Sequence, residues 1–229
     1  MKRFWKDVTV VGSDDGHALH LDGRPVRTPG RAILSLPGRT LAEAIGEEWR
    51  AVGDTLDPRA MPLTGLANAA IDRIAADPAA FAAGLARYGE SDLLYYRADH
   101  PAALVDRQAA AWDPLLDWAR TRYDVHFEPV AGVMHHAQPE ATIVRLAEAV
   151  AARSPFELAG LSHVVTVSGS LVAALALLEG AADADTVWQA ANVDEDWQVE
   201  QWGEDAEATK HRETRKADFD AGARFLSLL

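Results

Sequence analysis

From Val164 to Leu178 the sequence is apolar around nearly the whole circumference of the helix its spacing predicts. Such a segment has no face to give to water, so other elements must surround it. It is about five residues too short to cross a bilayer, and Thr166, Ser168 and Ser170 interrupt it. The expectation is therefore a buried central helix, opening at Pro155 in a first-turn position and running to about Glu179. A chain built around such a rod needs further amphipathic helices to cover it.

Those helices are legible. After Pro37, Thr40-Leu41-Ala42-Glu43 has the pattern of a capping box, and Leu41, Ile45, Trp49 and Val52 follow at helical spacing. Met61-Pro62 opens a second helix with Leu63, Leu66, Ala70 and Ile74 on one face, and Asp77-Pro78 stops it. Phe81, Leu85 and Tyr88 continue the pattern to Gly89. Trp112, Leu115 and Ala119 mark a longer helix in which Pro114 predicts a kink or restart. Val125 to Val130 reads as a short extended piece, Ala141 to Ala152 as another helix, and Thr186 to Leu229 as charged and helical.

Before Pro37 the pattern differs. Short apolar runs around Val8, Leu19, Val26 and Leu34 are separated by Asp14-Asp15-Gly16, Asp22-Gly23 and Pro29-Gly30, the punctuation of hairpins. The predicted class is α+β. A small β-rich hairpin or meander domain spans 1–60, including a first helix over 40–53, and a mostly α-helical domain spans 61–229.

Composition narrows the partners. Among 229 residues, 35 are acidic and 22 basic, a formal charge of −13. That field repels phosphate backbones and anionic membrane surfaces, so no nucleic acid and no membrane insertion is expected. With no cysteine, disulfides, thiolate nucleophiles and Cys-ligated zinc are excluded. Met1 to Asp7 shows neither a secretory nor an Arg/Ser-rich leader pattern, so the expected location is the cytosol.

Chemistry-bearing motifs are sparse. There is no P-loop and no Gly-rich dinucleotide turn. Val167-Ser168-Gly169-Ser170-Leu171 lacks the spacing of a nucleophile elbow and reads as small residues within a helix, where neighbours pack closely. His17 and His20, three apart on a strand, face opposite ways, and no acidic residue stands at ligand spacing beside His135-His136. Asp14-Asp15 reads as a turn, since no acidic ligand follows at the twelfth position of a calcium loop. Asp194, Glu195, Asp196, Glu200 and Glu204 read as a solvated face rather than a catalytic carboxylate pair. No metal, cofactor or catalytic residue is expected. The rival reading is a small hydrolase or isomerase using clustered carboxylates or Ser168 and Ser170.

Of seven tryptophans, Trp188, Trp197 and Trp202 sit in the most acidic stretch. Large rings among carboxylates suit a protein-binding surface, the ring giving desolvated contact and the carboxylate orienting Arg or Lys. The same spacing also suits rings that anchor a helix to the core, and it leaves the two open.

An ordered set of segments resembles a known family. Leu21-Asp22-Gly23-Arg24-Pro25-Val26-Arg27-Thr28-Pro29 is followed by Glu47-Glu48-Trp49, Met61-Pro62-Leu63-Thr64 and Tyr88-Gly89-Glu90-Ser91-Asp92-Leu93-Leu94. Arg107-Gln108-Ala109-Ala110-Ala111-Trp112, Ser168-Gly169-Ser170 and Trp197 to Glu204 complete the set. Together they resemble the assembly chaperones that attend the alpha subunit of the F-type ATP synthase catalytic sector, in a bacterial form of the mitochondrial type. The resemblance implies a monomeric, non-enzymatic protein that covers the beta-contacting surface of free alpha until the alternating hexamer forms. It implies client-binding roles for Glu48, Trp49, Trp202, Gly203 and Glu204, to which the aromatic–acidic spacing adds Trp197 and Glu200. Gly65 departs from the family pattern, where a basic or bulkier residue is common, and leaves the start of the second helix open. An adaptor for another multisubunit enzyme is the remaining alternative.

Overall fold

A computed structural model describes residues 2–13 and 16–229, with Ser13 described by its backbone alone. Asp14-Asp15 lies outside the described residues.

The hairpin punctuation builds a small sheet. β1 (Val8–Ser13) pairs antiparallel with β2 (Gly16–Leu21) in a register that sets Val10 opposite Leu19. β2 then pairs with β3 (Arg24–Pro25) and with β4 (Ser35–Leu36). Asp22 and Gly23 both have positive φ, 48° and 79°, as a tight primed hairpin turn requires. The Asp22 carboxylate accepts from the Lys6 and Asp7 amides at 3.0 and 2.8 Å, which ties the N-terminal segment to the turn and lowers the carboxyl pKa.

α1 (Arg39–Ala51) lies on this sheet through Leu41, Ala42, Ile45 and Trp49. The expected capping box does not form. The helix starts one residue earlier than Thr40, behind an extended Gly38, so the Thr40 hydroxyl is already inside the first turn. Glu43 instead reaches Arg39 and Arg50 at 3.6 and 3.5 Å.

α2 (Pro62–Ala69) begins at Pro62, which settles the start that Gly65 had left open, and runs into a π-turn over Ala70–Ile74. α3 (Pro78–Ala86) is capped by Asp77, whose carboxylate accepts from the Ala80 amide at 3.0 Å. Single 3-10 turns at Arg87–Glu90 and Leu93–Tyr95 lead to β5 (Tyr96–Arg97). α4 (Ala102–Tyr123) passes through Pro114 without restarting. Of the extended piece expected from Val125, only β6 (Val130–Ala131) is strand, parallel to β5. α5 (Glu140–Ala151) follows.

The central rod is two helices rather than one. α6 (Pro155–Ser168) ends at Gly169, whose φ of 68° is left-handed, and α7 (Leu171–Leu178) restarts immediately. Ser168 and Ser170 are therefore not small residues inside a continuous helix. The Ser170 hydroxyl caps α7, accepting from the Ala173 amide at 3.0 Å. Apolar periodicity runs smoothly through the junction, which is why it hid the break. The all-round burial expected from Val164 to Leu178 holds for Leu171 to Ala176, every one of which is buried, whereas Thr166 is exposed and Val167, Leu177 and Leu178 are half-buried.

Beneath the junction lies Asp92, fully buried. Its carboxylate accepts from the Val172 amide at 3.0 Å and the Leu94 amide at 3.1 Å. Burial pushes its pKa up to about 6 despite those donors.

The C-terminal segment divides into α8 (Ala184–Ala191), α9 (Val193–Trp202) and α10 (Ala206–Ser227). α10 crosses α6 at two facing glycines. A Cβ on Gly160 would come within 2.7 Å of Leu226 Cδ2, and one on Gly222 within 2.9 Å of the Gly160 carbonyl. One hydrophobic cluster runs from Trp5 in the N-terminal segment to Leu226 in α10. The α+β expectation holds, with the four-stranded sheet at the N-terminal end and mostly helices after it, the short β5–β6 pair lying among them.

Candidate protein-interaction surface

The residues singled out from the sequence fall into two places. Glu48 and Trp49 sit at the junction of α1 with α2. Pro62 has no N–H, so the first amides of α2 that need acceptors are those of Leu63 and Thr64. Glu48 supplies them, accepting from both amides at 2.8 Å and from the Thr64 hydroxyl at 2.7 Å. A carboxylate there also complements the positive end of the helix dipole. Trp49 is buried, its ring 5.2 Å from that of Trp5, whose Nε1 donates to the Trp49 carbonyl at 3.4 Å. Both side chains serve the internal join between α1 and its neighbours.

The other residues line or flank α9. Trp197 is half-buried under the Arg107 guanidinium, 5.5 Å from the ring centroid. Arg107 also donates to both oxygens of Glu200, at 2.8 and 2.9 Å. This hydrogen-bonded pairing lowers the Glu200 pKa and raises that of Arg107. One turn earlier, Gln108 links α9 to the strand end, donating to Asp194 at 2.7 Å and accepting from the Ala98 amide at 2.7 Å.

The solvated acidic face expected here is largely a set of ion pairs. Asp196 meets Arg212 at 2.6 Å and Glu195 meets Arg215. The reason is the turn at Gly203. Its φ of 87°, favoured by glycine, turns the chain into α10, which lays its arginines against the acids of α9. Glu204 is exposed just beyond.

At the end of α9, Trp202 is 77 % exposed. It forms one wall of a cleft of about 660 Å³ with Trp197, Tyr96, Pro101, Leu104 and Val133. Val133, 91 % exposed, and Met134, 81 % exposed, follow β6 on the same side. Large apolar side chains gathered this openly at a cleft mark a surface that awaits a partner. Val133 and Met134 were not found from the sequence. Two apolar residues between Gly132 and His135-His136, in no helical register, were the available signal. The histidine pair is also less isolated than its spacing implied, since His136 meets Glu128 at 2.8 Å.

Of the acids clustered along α9, Asp194, Glu195, Asp196 and Glu200 are held by Gln108, Arg215, Arg212 and Arg107. Ser168 and Ser170 are buried in the α6–α7 junction, and Asp92 accepts backbone amides there. Among the described residues, no three His, Cys, Asp or Glu side chains are grouped so as to hold a metal. Among them, too, no helix is long and apolar enough to cross a membrane.

Comparison with known proteins gives a consistent result. The family model described as ATP12 chaperone protein matches residues 2–120. Protein atp12, mitochondrial, of Schizosaccharomyces pombe is 23 % identical over 214 residues, spanning 88 % of this chain and 74 % of that protein. The crystal structure of Atp12 from Paracoccus denitrificans superposes with a TM-score of 0.94 at 44 % identity, covering 99 % of this chain and 97 % of that one. The Atu1473 protein of Agrobacterium tumefaciens gives 0.92 at 42 % identity, covering 99 % and 85 %.

Proposed function

We propose that this chain, which belongs to the ATP12 chaperone family, binds the free alpha subunit of the F-type ATP synthase catalytic sector and supports assembly of the alpha/beta hexamer. It acts without catalysis, as a monomer in the bacterial cytoplasm. The observation that carries the reading is the pair of exposed apolar side chains, Trp202 and Val133, that line the α9 cleft, with exposed Met134 next to Val133 in the chain.

The physics of the role fits that surface. A subunit made before its partner exposes an interface that invites aggregation. A holder needs apolar contact to cover it, yet must release it to the true partner. An open cleft edged by exposed apolar side chains meets both needs better than a deep pocket. Trp202, Gly203 and Glu204 make the client contact, while Trp197 and Glu200 hold α9 in place through Arg107. Glu48 and Trp49 contribute from within, by fixing α1 and α2. A net charge of −13 keeps the complex soluble while apolar surface is engaged.

Co-expression tests the reading directly. The alpha subunit is produced with this protein, without it, and with its Trp202→Ser variant, and soluble alpha and assembled hexamer are measured. Alpha that is equally soluble and equally assembled in all three cases ends the proposal.

A further inference from the structure

A second concavity, about 690 Å³ in volume, shares no lining residue with the α9 cleft. It is bounded by α2, α6, α10 and Phe81 of α3. Its α2 wall presents Met61, Gly65, Leu66 and Ala69, one face of that helix, and its α10 wall presents Ala217 and Ala221. The walls are low where Gly65, Ala69, Ala217 and Ala221 stand, because those side chains are small. The result is a channel between two helices with an apolar bed.

Gly65 has no internal reason to be glycine. Its φ is not left-handed, and a Cβ there would meet nothing within 4 Å. In a helix interior glycine costs about 1 kcal/mol against alanine. At this position it leaves the groove open.

The charges at the groove are the second observation. Arg59 precedes the first turn of α2 and Arg73 sits in the π-turn at its end, and both line the groove and are exposed. Among the described residues neither guanidinium meets a carboxylate, on a chain whose net charge is −13. At 1.5 Å per residue, Pro62 and Arg73 lie about 17 Å apart along the rod. Asp218 is the acidic group on the opposite wall. Between them His163 is kept neutral by burial, which lowers its pKa, so the bed adds no charge.

We propose that this groove is a second docking site, taking an acidic amphipathic helix presented by a partner protein. A single-headed amphiphile would engage one arginine and leave the other free. A helix of about three turns, with acids near both ends, reaches both. Its apolar face meets Ala69, Phe81, Ala217 and Ala221, and its acids turn toward the α2 wall, away from Asp218. This inference stands apart from the client reading, which uses the other cleft.

The test is fluorescence anisotropy on the full chain with a labelled 15-residue designed helical peptide. The peptide carries leucines on one face and glutamates in its first and last turns. The expected result is saturable binding that weakens as salt rises. Binding falls at least tenfold for Gly65→Leu, which fills the channel, and for the double variant Arg59→Glu/Arg73→Glu. Thermal melts of both variants confirm that they fold, and Trp202→Ser binds as the unaltered chain does. A lysine-for-glutamate version of the peptide does not bind. Absence of binding, equal binding to Gly65→Leu, equal binding of the lysine peptide, or its displacement by laurate overturns the proposal.

Discussion

The Arg107 guanidinium donates to both carboxylate oxygens of Glu200, at 2.8 and 2.9 Å, while lying 5.5 Å from the centroid of the Trp197 ring. One cation from α4 thereby holds two residues of α9 on the same side. It leaves Trp202, at the end of that helix, as the tryptophan of the stretch with its ring in the open. The two rings therefore have different work, which their shared acidic surroundings conceal.

If Trp202 is the contact residue, removing its ring costs binding and not folding. Trp202→Ser should change stability by no more than about 0.5 kcal/mol, the range for surface substitutions. Affinity for the alpha subunit, measured by titration calorimetry, should fall at least tenfold, about 1.4 kcal/mol or more. An unchanged affinity would place the client contact elsewhere.

Arg107 should act through α9. Arg107→Ala is expected to lower alpha-subunit affinity several-fold with a small change in melting temperature. Arg107→Lys should restore only part of it, because an ammonium cannot span both Glu200 oxygens and stack on Trp197 as the planar fork does. Full rescue by lysine would show that charge alone matters.

Glu48 should behave in the opposite way. Glu48→Ala strips the acceptor from the Leu63 and Thr64 amides, so unfolding free energy should drop by about 2 kcal/mol in urea titrations. Affinity measured well below the unfolding transition should stay the same. A loss of affinity without a loss of stability would return Glu48 to the client surface.

The two facing glycines should not tolerate alanine equally. In Gly222→Ala the new methyl meets the Gly160 carbonyl and the His163 Cβ, at 2.9 and 2.8 Å, and neither can move without shifting a helix. A loss of about 3 kcal/mol is expected. Gly160→Ala meets the Leu226 side chain at Cδ2 and Cγ, 2.7 and 2.8 Å away, but backbone only at 3.3 Å, so a smaller loss of about 1–2 kcal/mol should follow. Thermal melts of the two variants decide the order.

Asp92 sets a dependence on pH. Its carboxyl is raised from 3.8 to about 6, so the folded chain holds that proton more tightly than the unfolded one. The resulting stabilisation is fully present below pH 4 and is lost as pH rises through about 6. The difference of about two pH units corresponds to about 3 kcal/mol. Asp92→Asn, neutral throughout, should lack this fall. Unfolding free energies of both chains at pH 4, 5, 6 and 7 should therefore diverge in slope over that interval, and parallel profiles would refute the assignment.

Local pattern determined a good deal. Asp22-Gly23 specifies a turn with two positive φ values, and the apolar run around Leu171 to Ala176 is buried on every side. Each of these is written in neighbouring residues, because backbone dihedrals and amphipathic periodicity are local properties. Other features depend on partners far along the chain. Asp92 reaches Val172 across 80 positions, and Arg107 reaches Glu200 across 93. The break at Gly169, the pairing of the α9 acids with α10, and the placing of Val133 and Trp202 on one cleft are of this kind. Periodicity could say that α9 is acidic and carries two tryptophans. Only the packing of α4 and α10 against it decided which acids are neutralised and which ring is left to water, since burial and ion pairing belong to elements brought together in space.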